Sequence, residues 1–392
     1  MIKLPSSRHL ESASGSLRLD LVAIFGLMGI VLLRWHTYLL APGPVFDELK
    51  YIEAFRAVAD GASPFSVEGF FYPASFAWAG SLALATMGQT GVVTLMRAAN
   101  VLGLVATVWL SVKWWPTSWA RRLVVAAVFL TLAPAIKLAL YLGNISFAVI
   151  GMMVTALSIW PRHPLVAGLV LGGSVGIKPI APAAVLTLLT HRPRRGGYQH
   201  VVAGLVGGLS LVLVLLPVSQ VLEMSNQTIE GLIYKRSISL YRMLAEVGLQ
   251  ISPLVVALVI TGVAVLLSRR LRMTESDFMC FATTAALLTV PIIWAHTFLL
   301  VLPVQVIALM RAADRWRDAS NNSGPDSHAT IRRYEPILVI LGVVAIQLSG
   351  GAGAFDSQPV TFRVLALAVP YLAAPALTAY ILATDRFQRG NP

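Results

Sequence analysis

Apolar stretches close to bilayer length recur along the whole chain, and short clusters of Arg and Lys separate them. A hydrocarbon core about 30 Å thick takes roughly 20 helical residues to cross. Inside it every backbone polar group must be satisfied within the protein, so continuous apolar runs of this kind become helices. Composition agrees: 57% of residues are hydrophobic and 12% charged, against about 25% charged in soluble domains. The sequence predicts an all-α polytopic membrane protein, a single integral domain over 1–392 with no sizeable soluble part. The first stretch, 21–41, lacks a small-residue cleavage site and reads as a retained anchor. The net charge of +12 is assigned to cytoplasmic loops, not to nucleic-acid binding. The single cysteine, Cys280, excludes an intrachain disulfide.

Charge orients the segments. Basic residues fall around 3–18, 113–122, 192–195, 269–272, 311–333 and 386–389, with Arg162 alone between the second and third of these. The positive-inside rule places these clusters, and both termini, in the cytoplasm. The acid-rich stretch 45–65 then lies outside, with 223–250 and 351–361. The stretch 74–87 is apolar, yet a crossing there would turn every later basic cluster outward. It is therefore expected to lie at the outer face, with the turn at 88–91 outside. The expected segments number about twelve: 21–40, 92–112, 122–141, 146–160, a short broken pair at 164–177 and 179–190, 201–222, 251–268, 278–293, 297–311, 336–350 and 363–383. The broken pair splits at Lys178-Pro179, and a second shallow fold is expected near 291–296. Each short arm would span only about 18–21 Å, so both apices stop within the bilayer and imply an outward-facing cavity. Outer loops are expected at 42–91, with juxtamembrane helices, and at 223–250. A flexible cytoplasmic loop is expected at 312–335.

Chemistry-bearing residues are few. Asp47, Glu48 and Tyr51 fall on a predicted amphipathic helix, Phe46–Ala59, where Asp47 and Tyr51 share a face at i,i+4. Lys178 stands alone in an uncharged run, and an ionisable residue at membrane depth is a functional candidate. His296 lies at the second shallow apex, beside Trp294. The outer loop 223–246 carries Lys235, Arg236 and Arg242 with Tyr234 and Tyr241, a set able to bind phosphate or sugar. No Walker A, GxSxG or zinc-ligand spacing is present.

Taken in order, these residues resemble a family, glycosyltransferase family 87 of the GT-C membrane glycosyltransferases. The elements that carry the resemblance are Asp47 with Tyr51, Gly61, Pro64-Phe65, Phe71-Tyr72-Pro73, Gly143-Asn144, Lys178-Pro179, Asn226-Gln227-Thr228 with Gly231, and Trp294-Ala295-His296. They are spread over about two thirds of the chain. Two positions depart: Ala74 stands where a second Pro is usual, and Thr297 where a second His is common.

The resemblance implies a GT-C fold in the bacterial inner membrane with an outward-facing active site. It implies inverting sugar transfer from a polyprenyl-phosphate donor to a cell-envelope glycolipid or glycan, with mannose favoured over arabinofuranose. Asp47 would be the general base. Lys178, His296, Lys235 and Arg236 would face the donor phosphate. Glu48, Tyr51, Tyr72, Asn144, Asn226, Gln227, Arg242 and Trp294 would line the cavity. No cofactor is required; a divalent metal, if used, would sit at Asp47 and Glu48. The alternative reading is a lipid-linked-saccharide flippase or secondary transporter, which predicts inverted repeats.

Overall fold

Gly88 sets the shape of the N-terminal half. It takes φ +68° and ψ 173° inside the helix α3, Ala74–Lys113, a conformation open to glycine and strained for other residues. The chain turns back on itself there. Tyr72, just before α3, is 3.0 Å from the Asn144 side chain, and Asn100 is 3.0 Å from the Asn144 carbonyl. A straight helix would separate residues 74 and 100 by about 39 Å. So α3 is two arms, 74–87 and 89–113, folded at Gly88.

The computed structural model describes residues 7–113, 118–160, 162–178, 240–249, 251, 253–271, 273–290, 297, 300–321, 327–347 and 360–388. Among these residues no strand occurs. The helices besides α3 are α1 Ser7–Leu39, α2 Phe46–Ala59, α4 Trp119–Leu132, α5 Pro134–Leu142, α6 Ser146–Ile159, α7 Pro164–Ile177, α8 Leu240–Glu246, α9 Pro253–Arg270, α10 Glu275–Thr289, α11 Leu302–Asn321, α12 Ser327–Gln347 and α13 Val360–Gln388. Their apolar faces make this a polytopic membrane protein. Leu19–Leu39 and Ala74–Lys113 are long and apolar enough to cross a bilayer. Predicted segments 179–190 and 201–222 lie outside the described residues.

Helix α1 and the second arm of α3 run antiparallel. Arg97 donates to the Leu39 carbonyl at one end, and Lys113 pairs with Asp20 at 2.6 Å at the other. The arm 74–87 therefore does not exchange the two ends. Helix α2 lies along the start of the second arm. Glu48 meets Arg97 near its N-terminus, and Arg56 donates to Gln89 at 2.7 Å near its C-terminus. Tyr51, Phe55, Phe70, Tyr72, Val92, Val93 and Met96 form a small core between these pieces.

The larger core centres on α3 and α6, which touch backbone to backbone. A Cβ on Gly103 would fall 2.2 Å from the Phe147 carbonyl oxygen, and one on Gly151 would fall 2.3 Å from the Gly103 Cα. Small residues permit this approach, as they do in membrane helix pairs generally.

Three expectations need correction. The predicted crossing 122–141 is broken: Ala133 is extended, Pro134 starts a new helix, and the two pieces bend by 53°. Pro134 has no N–H to continue α4 and suits a first helical turn. The expected flexible loop 312–335 is mostly helix, since α11 runs to Asn321 and α12 starts at Ser327. Arg315 and Glu335 join the two helices at 3.0 Å. The expected crossing 297–311 is displaced, because α11 begins at Leu302. Arg311 then reaches Asp277 of α10 at 2.6 Å and also bonds the Ile381 carbonyl, tying α10, α11 and α13 together.

Candidate active site

Four elements deliver the site residues. Helix α2 carries Asp47 and Tyr51 on adjacent turns of one face. The segment before α3 carries Tyr72, and Ser75 in the first turn of α3 anchors it by donating to the Gly176 carbonyl of α7 at 2.7 Å. The turn between α5 and α6 carries Asn144. Gly143 makes that turn with φ +70°, a left-handed conformation that glycine adopts without steric cost. The C-terminal end of α7 carries Lys178, which is extended and precedes Pro179. A residue before proline is pushed out of the helical region, so the helix stops there.

Asn144 joins these groups. Its Nδ2 donates to Asp47 Oδ2 at 2.5 Å and to Tyr72 Oη at 3.0 Å. Its Oδ1 accepts from Lys178 Nζ at 3.2 Å, from the Ser146 amide at 3.0 Å and from Ser146 Oγ at 2.5 Å. Lys178 Nζ also donates to Ser146 Oγ at 2.7 Å and sits 5.3 Å from the Tyr72 ring centroid. Tyr51 Oη donates to Tyr72 Oη at 2.7 Å. Asn100 clamps the turn from α3, donating to the Asn144 carbonyl at 3.0 Å and accepting from the Ala148 amide at 3.1 Å.

Asp47 is half-buried and makes no ion pair among the described residues. Burial raises its pKa above the ordinary carboxylate value. The Asn144 bond and the nearby Lys178 charge oppose that rise, and the Glu48 charge adds to it. Burial likewise raises Tyr51 and Tyr72, so both stay protonated. The arrangement presents a carboxylate of elevated basicity beside a cation that it does not touch. Such a pair can take a proton from one reactant while the cation meets a developing negative charge on another.

Glu48 is not part of this face, which corrects its assignment to the substrate cavity. It is 1% exposed, and Arg97 binds both of its oxygens at 2.9 and 2.8 Å. The Val45 amide donates to the same carboxylate at 2.9 Å. Both Glu48 oxygens are therefore occupied, and Asp47 alone faces the polar network. Arg242 is buried on α8 and pairs with Glu246 of the same helix at 3.5 Å. Lys235, Arg236, Asn226, Gln227, Trp294 and His296 lie outside the described residues.

Sequence reasoning brought Asp47, Tyr51, Tyr72, Asn144 and Lys178 forward, and the fold places all five together. It missed Arg97, Asn100 and Ser146. Arg97 was visible as a lone charge in an apolar run. Ser146 stood two residues after Asn144 in a pattern that also matches a glycosylation acceptor, which hid its role.

No family model matches the chain, and no curated protein sequence matches it. Among solved structures, the crystal structure of ArnT from Cupriavidus metallidurans in the apo state is similar at a TM-score of 0.39 and 15% sequence identity. The likeness covers 95% of this chain and 77% of that one.

Proposed function

We propose that the protein is a GT-C glycosyltransferase that moves a sugar from a polyprenyl-phosphate donor to a hydroxyl of a cell-envelope glycolipid or glycan. Mannose is the favoured sugar. The observation that carries this reading is Asp47: a half-buried carboxylate, free of ion pairs among the described residues, on a helix between two apolar helices and one amide away from Lys178. The order of matching motifs, from Asp47 through Lys178-Pro179 to Trp294-Ala295-His296, supports the family 87 assignment and the outward orientation.

In this scheme the Asp47 carboxylate accepts the proton of the acceptor hydroxyl. The acceptor oxygen attacks the anomeric carbon from the face opposite the phosphate. The bond from that carbon to the phosphate oxygen breaks, and the electron pair leaves with polyprenyl phosphate. The configuration inverts. Lys178 stands where a cation can meet the expelled phosphate, which in a low-dielectric site is worth far more than in water. His296, Lys235 and Arg236 are proposed for the same phosphate. A lipid-linked donor also accounts for a chain without a nucleotide-binding motif.

The test is transfer of mannose from a synthetic polyprenyl-phosphate donor by purified protein in detergent. Product is expected with the wild type, and Asp47→Asn should lose about 10²–10⁴ in rate, the usual range for a general base. Lys178→Ala should weaken donor use at saturating acceptor. A wild type that forms no glycosidic product, or an Asp47→Asn variant of normal turnover, overturns the reading.

A further inference from the structure

We propose that Asn144 is a positioning residue: it stands between Asp47 and Lys178 and prevents them from closing into an ion pair. The inference rests on the reading of Asp47 as the base. The geometry is directional. Both N–H groups of the Asn144 amide point to acceptors, Asp47 and Tyr72, and its oxygen receives three donors, Lys178 Nζ, the Ser146 amide and Ser146 Oγ. Turning the amide over would set its oxygen against the carboxylate and its N–H groups against an ammonium and an amide. Only one orientation is satisfied, so the side chain is locked as a spacer with a donating end toward the acid and an accepting end toward the lysine.

The spacer is itself held. Asn100 of α3 binds the Asn144 carbonyl and the Ala148 amide, fixing the backbone on both sides of the turn. Ser146 Oγ takes a hydrogen from Lys178 at 2.7 Å and gives its own to Asn144 Oδ1. The lysine is thereby tethered at a point that stops short of Asp47.

Without the spacer the two charges would attract strongly in a site of low dielectric. An ion-paired Asp47 would be a weaker base, and Lys178 would be neutralised before a phosphate arrived. Among the described residues, the charged and titratable groups near Asp47 are Lys178 at the end of α7, Tyr51 on the same face of α2, Tyr72 before α3, and Glu48, which is turned away toward Arg97 but whose charge still reaches it. Arg97 of α3 is bound to Glu48, and Tyr141 of α5 packs at a tilt against the neighbouring Phe46. Lys178 is the cation among them that no acid holds.

The experiment reads protonation of Asp47 directly. Dicyclohexylcarbodiimide reacts with protonated carboxyl groups in apolar sites, and peptide mass spectrometry can follow Asp47 against pH. In Asn144→Ala the midpoint of labelling should move to lower pH, by less than the about 1–3 units a carboxylate gains from an adjacent cation, because the Asn144 bond that also lowers it is lost. In Asn144→Ala/Lys178→Gln it should return to or above the wild-type value. Ser146→Ala, a smaller change, should shift the midpoint in the same direction by less. A midpoint that stays in place or rises in Asn144→Ala, or a lowered midpoint that persists without Lys178, overturns the proposal. Labelling needs no turnover, so the two readings fail separately. If the wild type transfers no sugar, the proposed function falls. If Asp47→Asn abolishes transfer while Asn144→Ala leaves the midpoint unmoved, the spacer falls alone.

Discussion

Arg97 grips Glu48 at two points, 2.9 and 2.8 Å, and the same guanidinium donates to the carbonyls of Leu39, Ala41 and Gly43. One side chain thus closes the link between α1 and α2 and aims the first turn of α2, which carries Asp47. Removing Arg97 would leave Glu48 buried and unpaired. Arg97→Ala should cost about 3–5 kcal/mol of stability, the range for breaking a buried pair from one side. Glu48→Gln should cost less, because the three carbonyls still hold the guanidinium. Thermal unfolding followed by size-exclusion chromatography in detergent checks the order, and equal loss in both variants would count against it.

Asp47 should weaken the fold it serves. Its pKa is raised in the folded protein, so the folded state binds that proton more tightly than the unfolded chain does. The stability it contributes is present below the unfolded pKa and is lost as pH rises through the raised folded value. At pH 7 the ionised side chain is then a net cost. Asp47→Asn should lose activity and melt at or above the wild-type temperature at pH 7, with the difference closing toward about pH 4. The rate of the wild type should fall on its acid side at a pH above the ordinary carboxylate range. An Asp47→Asn protein that melts lower at pH 7 by a margin independent of pH would refute this.

Gly143 and Gly61 separate two effects of adding a methyl. Both have positive φ, +70° and +78°. A Cβ at Gly143 would lie 2.6 Å from Glu48 Cγ and 2.7 Å from Val45 Cγ2, whereas one at Gly61 meets open space. Gly61→Ala should cost about 1–2 kcal/mol from backbone strain alone. Gly143→Ala should add roughly 1–3 kcal/mol of overpacking and reduce activity, since it displaces Asn144. Matched melting and turnover measurements would show the gap, and indistinguishable variants would remove the argument.

The ends of α1 and α3 predict a labelling pattern. A cysteine at Thr90 should react with an impermeant maleimide added to intact spheroplasts, and one at Ser118 only after permeabilisation. Cys280 is 0% exposed and gives a quiet background. Labelling in the reverse order would invert the orientation.

Much of the site was legible in the sequence. Helical spacing put Asp47 and Tyr51 on one face, and the solitary charge of Lys178 before a proline marked a helix end. What the sequence hid is pairing over distance. Asp47 and Glu48 are chemically alike, and the residue that distinguishes them, Arg97, lies 49 positions away from Glu48. Asn144 drew notice as a site residue only through family resemblance, because an amide carries no periodicity or charge and its Asn-x-Ser pattern pointed elsewhere. The stretch 312–335 looked polar enough for a loop, yet Arg315 and Glu335 satisfy each other between two helices.

The bare contact between α3 and α6 gives the protein a lever. Gly103 lies one turn beyond Asn100, and Gly151 two turns beyond Asn144, and neither touches a polar group of the site. A single methyl at either position would pry the helices apart at a fulcrum, and the displacement would arrive where Asn100 grips the turn of Asn144. Activity is therefore expected to be most fragile at two silent positions that any inventory of polar groups would pass over.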